Sequence, residues 1–336
     1  LREGMAAPLC LTSGDPGGIA PEITLKAWLQ CCEETPFYVI SDPEWLQHMA
    51  QRLELPVRVQ TLDDPAESAG MMRHGLPVWP LPWPVAPVCG TSSASLASTV
   101  IASIETAFAH VQKGKAAGMV TNPIHKATLY QAGFNHSGHT EFLASLCGGA
   151  RSVMMLATPG LRVVPATIHI PLRRVAEQLS VEGIIAQAEC TLNALQNDFG
   201  ISSPRLAVAA LNPHAGEDGT MGSEEQEILL PAIRHLNNGG WNVTGPFAAD
   251  TLFHEEARKT YDAALCMYHD QALIPLKTLD FWGGVNITLG LPVVRTSPDH
   301  GTGLAIAGQG RARPDSLVAA LRHASAVAAR RQQHAA

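Results

Sequence analysis

Short aliphatic runs recur along the chain, and each ends in Gly, Pro, Asn or His before a stretch with hydrophobic residues at helical spacing. Such runs are typical of strands buried on both faces and followed by a covering helix. The pattern predicts an α/β fold with mostly parallel strands. The clearest predicted strands are 8–12, 117–120, 161–168, 206–211 and 263–267, and the predicted helices are 21–30, 93–112, 140–146, 173–199, 223–236 and 315–330.

Polar and glycine-rich motifs follow the predicted strands directly. Open α/β sheets form their ligand sites at the carboxyl ends of parallel strands, so we expect a functional site at that edge. The residues in question are 14–18, 121–126, His169, 212–214 and 268–271.

Residues 76–87 interrupt this pattern, since they contain five prolines together with Trp79 and Trp83. Proline lacks a backbone N–H, which excludes a helix interior and a central strand. The segment is expected to form a loop or an edge segment.

Length and composition narrow the class of protein. At about 150 residues per domain, 336 residues predict roughly two domains. With 46% hydrophobic and 16% charged residues, the chain is expected to fold compactly, and it shows no solenoid repeat.

Net charge limits the binding partners that are expected, and the cysteine pattern limits the expected redox state. A formal net charge of −7 gives no electrostatic footprint for nucleic acid or an anionic membrane, so neither partner is expected. The seven cysteines form no Cys-x-x-Cys pair and are expected to be reduced thiols. Residues 1–5 lack the long apolar core of a secretion signal, and apolar runs stop short of the ~20 residues that cross a bilayer. We therefore expect a cytoplasmic protein.

Three histidines, His169, His214 and His269, are candidate metal ligands because imidazole is a common ligand for zinc and similar ions. They are too far apart in sequence to form a local metal motif. Each could also be an ordinary hydrogen-bonded histidine, but strand ends at one sheet edge could bring all three together.

Lys277, Asn286 and Arg295 form a second candidate set, because two cations and an amide suit a phosphate or carboxylate. They could equally be solvated side chains beside a glycine-rich turn. Similarly, Thr140 after His139 could cap a helix or help its N-terminus to contact an anion.

Two glycine-rich turns, residues 14–22 and 300–310, could let backbone amides approach a ligand. Neither matches the Gly-x-Gly-x-x-Gly dinucleotide turn, and the chain has no Walker phosphate loop and no Gly-x-Ser-x-Gly nucleophile elbow. A standard Rossmann cofactor site and a serine hydrolase are therefore unsupported.

Taken together, the motifs resemble the 4-hydroxythreonine-4-phosphate dehydrogenase family of pyridoxal phosphate biosynthesis. The resemblance extends over nearly the whole chain, with several long motifs in the same order. These motifs are residues 14–22, 121–126, 138–141, 212–217, 249–251, 267–271, 284–292 and 299–302.

The resemblance implies two α/β/α domains around a central cleft, similar to isocitrate and isopropylmalate dehydrogenases, in a homodimer with shared active sites. The implied domains are 5–125 with 296–336, and 126–295, the second holding most metal and substrate ligands. The resemblance also implies zinc, magnesium or cobalt on His169, His214 and His269; substrate on His139, Thr140, Lys277, Asn286 and Arg295; proton transfer by Lys277 or His139; and NAD or NADP near His300, Gly301, Thr302 and Gly308.

The sequence departs from the family pattern around its glycine-rich turns. Pro298, Gly303 and Ala305 replace the usual Val, Ala and Asp, on the side expected to hold the cofactor. Gly17 and Ala20 stand where Ala and Gly are usual. The choice between NAD and NADP therefore stays open.

The expected reaction is metal-dependent oxidation of 4-hydroxythreonine 4-phosphate to a 3-oxo acid, which decarboxylates to 3-amino-1-hydroxyacetone phosphate. One alternative is a paralogue acting on threonate phosphate, erythronate phosphate or a cis-dihydrodiol. Others are a metal-dependent hydrolase or lyase, and a noncatalytic phosphate-binding protein.

Overall fold

The computed structural model describes residues 7–136 and 138–335. Residues 1–5, which bear on the secretion signal, lie outside the described residues. Two compact units are present, and we call Leu1–Ser152 with Leu291–Ala336 unit 1 and Val153–Gly290 unit 2.

The strands and helices alternate along the described chain, which confirms the predicted α/β class. In order, the strands are β1 (Leu9–Thr12), β2 (Phe37–Ser41), β3 (Val59–Thr61), β4 (Leu76–Pro80), β5 (Gly118–Val120), β6 (Val153–Thr158), β7 (Leu161–Pro165), β8 (Arg205–Ala209), β9 (Asn242–Phe247), β10 (Ala263–Cys266), β11 (Val285–Leu289) and β12 (Arg295–Pro298). The α-helices are α1 (Ala20–Cys31), α2 (Pro43–Arg52), α3 (Ser68–Met71), α4 (Ala97–Gln112), α5 (Lys126–Gln131), α6 (His139–Leu146), α7 (Val175–Gln178), α8 (Val181–Asn197), α9 (Leu230–Asn238), α10 (Glu255–Arg258), α11 (His269–Leu279) and α12 (Asp315–Ala335).

In unit 1 the strands are parallel and lie in the order β3-β4-β2-β1-β5-β12. Both faces of this sheet are buried. Cys10 of β1 and Met119 of β5 pack with Val100 and Ile104 of α4 in one core cluster, while the alternate β1 residue Leu11, which points to the opposite face, is also fully buried. The continuous aliphatic runs in the sequence follow from this double coverage.

In unit 2 the strand order is β11-β6-β7-β10-β8-β9. The pairs β11/β6 and β6/β7 are antiparallel, and β7, β10, β8 and β9 run parallel. The core packs residues such as Val163, Ala207 and Cys266 of these strands against Ala272 and Leu276 of α11. Three adjacent parallel strands, β7, β10 and β8, therefore end at one edge.

Residues 76–80 contradict the prediction that this segment is no inner strand, because β4 lies between β3 and β2. Residues 81–87 lie outside the strands and helices, as predicted for a loop. The register of β4 with β3 covers Leu76 to Val78, and its register with β2 covers Val78 to Pro80. Pro77 thus precedes the residues paired with β2, and Pro80 follows those paired with β3. Each proline is paired with only one of the two neighbouring strands, so its missing N–H can remove a hydrogen bond from one side of β4 only. A short inner strand therefore tolerates both prolines.

Two predicted helices differ from the structure. The helix predicted over 173–199 is broken between α7 and α8, where Leu179 is extended and the Ser180 side chain accepts a hydrogen bond from Gly183 N (3.1 Å) to start α8. The helix predicted over 223–236 contains a π-helical turn, Glu225–Leu229, before α9. The helical spacing of hydrophobic residues continues through both irregularities in the sequence. Only the structure reveals them, through the Ser180 cap and the π-helical turn.

Within the described residues, one helical stretch, Ala94–Gln112, is long and apolar enough to cross a membrane by length and composition. This differs from the expectation that apolar runs stop short of a bilayer-spanning length. Val100, Ile104 and Ala107 of this stretch pack in the core of unit 1, as expected for a core helix.

The unit boundaries lie at 152/153 and 290/291, whereas the domain boundaries expected from the resemblance are 125/126 and 295/296. Helix α6 belongs to unit 1 because Phe142 and Leu143 pack in the same core as Cys10. Arg295 also belongs there, since it opens β12 beside β5. His139, Thr140 and Arg295 are therefore in unit 1.

All seven cysteines are free thiols in the structure. Burial raises the pKa of Cys10 and of Cys31 to about 12. These two side chains act as small hydrophobic residues in the core.

Candidate active site

Two of the three candidate metal ligands lie together in unit 2. His169 follows β7 and His269 opens α11 after β10, and their ring centroids are 6.0 Å apart. Both line a cavity of about 280 Å³ with Tyr268 and Asp270. Oδ1 of Asp270 lies 2.7 Å from Nδ1 of His269. A carboxylate accepts a hydrogen from Nδ1 and leaves Nε2 with a lone pair, which is the arrangement of a metal-binding imidazole.

His214 also follows a strand of this edge, β8, but its position is determined by a turn. Five consecutive residues from His214 to Asp218 have positive φ values between 44° and 80°. The start of the loop is held by the buried carboxylate of Glu225, which accepts hydrogen bonds from the backbone N of Leu211 and of Asn212, both 2.8 Å. Among the described residues no three His, Cys, Asp or Glu side chains are close enough to hold a metal ion. The structure therefore brings together His169 and His269 but not His214.

Lys277 and Asn286 lie elsewhere in unit 2. Lys277 is in the last turn of α11, the helix that His269 begins, and its Nζ is 5.4 Å from the centroid of the Phe281 ring. Asn286 lies on β11, and its Oδ1 is buried without a hydrogen-bond partner within residues 7–136 and 138–335. A buried acceptor without a partner costs about 1–3 kcal/mol, which a bound donor would recover.

In unit 1 a cluster centred on Arg295 has the chemistry of an anion site. Arg295 is only 4% exposed. It donates to Oγ1 of Thr121 from Nε (3.2 Å) and Nη2 (2.7 Å), and to Oγ1 of Thr140 from Nη1 (3.4 Å). These contacts orient a guanidinium fork that suits a phosphate or carboxylate. Burial, opposed by the nearby Glu141 carboxylate, lowers the pKa of Arg295 to about 10, so the side chain stays charged at neutral pH.

His139 belongs to the same cluster. Burial, together with the positive charges of Arg295 and Lys126, holds the pKa of His139 well below its usual value. Its Nε2 is buried and has no hydrogen-bond partner among the described residues. A neutral imidazole with an unsatisfied buried nitrogen is suited to hydrogen bonding with a ligand.

The second glycine-rich turn, which contains His300, Gly301, Thr302 and Gly308, also lies in unit 1. It packs on the first turn: the backbone N of Ile19 donates to the carbonyl of Thr302 (2.8 Å), and a Cβ on Gly18 would come within 2.5 Å of that same oxygen. Gly303 has a left-handed φ of +54°, and Gly301 faces open space. The two turns, distant in sequence, therefore form one backbone-lined surface.

Sequence reasoning missed the residues that hold this surface in place. The fully buried Glu22 accepts hydrogen bonds from Ala312 N (2.8 Å) and from Nζ of Lys26 (2.8 Å). Lys26 in turn donates to the carbonyls of Gly310 (2.9 Å) and Ala312 (2.7 Å). We call this pair the Glu22–Lys26 clamp. The only sequence signal for it is two opposite charges at i and i+4 spacing, which does not reveal a distant partner.

Histidines, a buried arginine and close-packed glycine turns at the strand ends of α/β units are typical of an enzyme that acts on a small anionic molecule. Residues 33–324 match the family described as pyridoxal phosphate biosynthetic protein PdxA, and the chain belongs to this family. The resemblance noted from the motifs is therefore confirmed.

Individual relatives agree over almost the full length. The Caulobacter vibrioides protein named 4-hydroxythreonine-4-phosphate dehydrogenase is 51% identical over 331 residues, which cover 96% of this chain and 98% of the relative. The crystal structure of 4-hydroxythreonine-4-phosphate dehydrogenase from Klebsiella pneumoniae matches with a TM-score of 0.86 at 36% identity, covering 96% of this chain and 99% of that one. Terephthalate 1,2-cis-dihydrodiol dehydrogenase from Burkholderia xenovorans matches with a TM-score of 0.65 at 26% identity, covering 96% and 98%.

Proposed function

We propose that this protein oxidises 4-hydroxythreonine 4-phosphate with NAD, and that the 3-oxo acid product decarboxylates to 3-amino-1-hydroxyacetone phosphate, a step of pyridoxal phosphate biosynthesis. The observation that carries the proposal is the buried Arg295 fork beside the unsatisfied Nε2 of His139. A phosphorylated acid supplies the anion that such a fork binds. The names of the relatives identify the same substrate.

Five residues bind the substrate in this proposal: His139, Thr140, Lys277, Asn286 and Arg295. Arg295 supplies the fixed charge, and the neutral His139 can donate or accept a hydrogen bond without adding charge. For this oxidation a bound nicotinamide would supply the hydride acceptor, and a base takes the proton of the hydroxyl oxygen; Lys277 and His139 are the candidates for that base. Breaking the bond to the carboxylate then releases CO₂ and leaves an enol, and protonation of its carbon gives the ketone.

His169 and His269 fit a divalent metal by their shared cavity and by the Asp270 contact, and His214 is proposed as the third ligand. Zinc, magnesium or cobalt bound there would polarise the substrate oxygen. A homodimer with a shared site would supply the third imidazole from the partner subunit, because His214 does not join the pair within one chain. We propose such a homodimer, located in the cytoplasm, with the second domain contributing these metal ligands.

The glycine-rich turns fit a dinucleotide, NAD or NADP, near His300, Gly301, Thr302 and Gly308. Their support is the close packing of the two turns, in which a Cβ on Gly18 or Gly303 would meet the other turn, together with the open space beside Gly301. Bound there, the dinucleotide would accept the hydride. The turn is held by Arg52, whose Nε donates to the carbonyl of Gly308 (3.3 Å).

The test is NADH formation from 4-hydroxythreonine 4-phosphate and NAD with added Zn²⁺, Mg²⁺ or Co²⁺, before and after a chelator. We expect activity that the chelator abolishes and that one metal restores. Turnover only of threonate phosphate, erythronate phosphate or a cis-dihydrodiol would identify a paralogue. Product without NADH would indicate a hydrolase or lyase, and binding without turnover a phosphate-binding protein.

A further inference from the structure

Four polar side chains of unit 1, outside the residues assigned above, form a continuous hydrogen-bonded chain. We call Asp15, Ser92, Thr128 and His125 the relay. The hydroxyl of Ser92 donates to Oδ2 of Asp15, the Ser92 and Thr128 hydroxyl oxygens are 2.9 Å apart, and Oγ1 of Thr128 is 2.6 Å from Nδ1 of His125. Asp15 is 5% exposed and Thr128 is 7% exposed, whereas Ser92 and His125 are half-buried, so the hydrogen bonds are partly shielded from solvent.

The carboxylate determines the direction of every hydrogen bond in the relay. A carboxylate only accepts, so the single hydroxyl hydrogen of Ser92 points to Asp15. Oγ of Ser92 must then accept the hydrogen of Thr128, and Oγ1 of Thr128 must accept from the ring. His125 is thereby held as the Nδ1–H tautomer, and Nε2 carries the lone pair.

The relay also has a fixed frame. Oδ1 of Asp15 accepts from Gly17 N (2.9 Å), and Asp15 N donates to the carbonyl of Pro123 (2.8 Å). His125 is half-buried, and its ring makes its side-chain hydrogen bond within the described residues through Nδ1, which leaves Nε2 available to a ligand. A lone pair on a ring whose other nitrogen is fixed can accept a hydrogen bond from a ligand.

The relay lies among the segments that form the proposed site in unit 1. His125 shares the segment after β5 with Thr121, which holds Arg295. Ser92 belongs to a segment whose Gly90 N donates to the carbonyl of Gly17 (2.7 Å). In the same segment, Cys89 Sγ lies against Gly308 of the second glycine-rich turn. Both the anion cluster and the proposed dinucleotide surface therefore adjoin the relay.

We propose that His125 is a further ligand-binding residue, held by the relay so that Nε2 accepts a hydrogen bond from an O–H or N–H group. The donor group belongs to the phosphorylated hydroxy acid or to the dinucleotide. Asp15, Ser92 and Thr128 are positioning residues. The inference rests on the proposed function for these two ligands.

The first experiment measures the tautomer of His125 by ¹H–¹⁵N correlation spectroscopy of the histidine-labelled full chain, with His125→Gln to assign the signal. At a pH where the ring is neutral, we expect Nδ1–H in the wild-type protein and in Thr128→Ser, which keeps the hydroxyl. Thr128→Val should shift the ring toward the Nε2–H form that histidine favours in water. Nε2–H in the wild type, or no change in Thr128→Val, would overturn the relay.

The second experiment separates the two donors by steady-state kinetics. Loss of one neutral hydrogen bond corresponds to about a two- to tenfold change in affinity, so Thr128→Val and Ser92→Ala should raise one KM by that factor. Ser93→Ala is the matched control, because the Ser93 hydroxyl contacts Ser95 and lies outside the relay. A raised KM for NAD identifies the dinucleotide as the donor, and a raised KM for the hydroxy acid identifies the substrate. Unchanged KM values for both would refute the binding role.

Failure of the proposed function and failure of the His125 role give different results. If the wild-type chain reduces no NAD with any of the acids, the proposed function is lost, whereas the tautomer result stands and NAD or inorganic phosphate can be titrated against the His125 signal. No shift of that signal with either probe would exclude the binding role. If the wild type is active but the variants behave as Ser93→Ala does, only the role of His125 is lost.

Discussion

The guanidinium of Arg295 donates two hydrogen bonds to a single oxygen, Oγ1 of Thr121, at 3.2 Å from Nε and 2.7 Å from Nη2. Thr121 directly follows β5, and Arg295 opens the neighbouring strand β12. The parallel pairing of two strands thus aims the fork, although the residues are far apart in sequence.

Arg295→Lys should therefore weaken substrate binding although it keeps the positive charge. Lysine offers a point charge and no planar fork, so we expect KM for the phosphorylated acid to rise about 10- to 100-fold. Steady-state kinetics measures this effect. The matched control is Arg322→Lys, since Arg322 forms an exposed ion pair with Glu34 and should leave KM unchanged. Equal KM values for both variants would remove Arg295 from the anion site.

Acid should destabilise the fold through His139. Its pKa is held well below the usual value of 6.5, first by burial and then by Arg295 and Lys126, so the unfolded chain binds the proton more readily. The free energy of unfolding should be unaffected by this group above pH 6.5 and should fall as the pH drops below it. Urea unfolding between about pH 8 and pH 5 measures the slope. His139→Gln should flatten it in part, because burial also lowers the pKa of His110; an unchanged slope would contradict the account.

Metal binding should depend on His169 and His269. Replacing either with Ala removes one of two neighbouring imidazoles, and we expect the bound metal per chain to fall at least about tenfold at equal free metal. His214→Ala tests the proposed third ligand by the same metal analysis. His235→Ala is the control, because His235 is an exposed residue of α9. Full metal content in His214→Ala would exclude that residue from the site.

The Glu22–Lys26 clamp should affect the dinucleotide more than the acid. Glu22→Gln replaces the carboxylate that accepts hydrogen bonds from Ala312 N and from Nζ of Lys26 with a neutral amide, which is a weaker acceptor. We therefore expect the free energy of unfolding to fall by about 1–3 kcal/mol. Because the clamp holds residues next to the second glycine-rich turn, KM for NAD should rise while KM for the acid stays the same. Glu256→Gln, which breaks an exposed ion pair with Lys259, is the control and should change neither value.

Gly17 should not tolerate the alanine that is usual in the family. A Cβ there would lie 1.9 Å from the carbonyl oxygen of Thr91, so the backbone of residues 88–91 must move. We expect Gly17→Ala to lower the free energy of unfolding by about 1–3 kcal/mol. Gly70→Ala is the control, because no atom lies within 4 Å of its added Cβ. The thermal unfolding temperatures of the two variants should differ clearly. Equal stability would show that residues 88–91 can move without loss of stability.

The sequence by itself determined the strands and the residues that follow them. Aliphatic runs buried on both faces and the polar residues at their ends are local features, so β1, β5, β8 and β10 and the motifs after them could be predicted. The class of fold and the candidate residues His169 and His269 followed from this pattern. Their proximity is a consequence of adjacent parallel strands.

Only the tertiary structure decided how distant segments meet. The inner position of β4, the left-handed turn at His214, the clamp on Ala312 and the relay to His125 depend on register, on backbone conformation and on hydrogen bonds across the fold. Hydrophobic periodicity reports which side of an element is buried and not what covers it. Strand order and side-chain partners arise from packing over the whole unit, and for that reason the local pattern left them open.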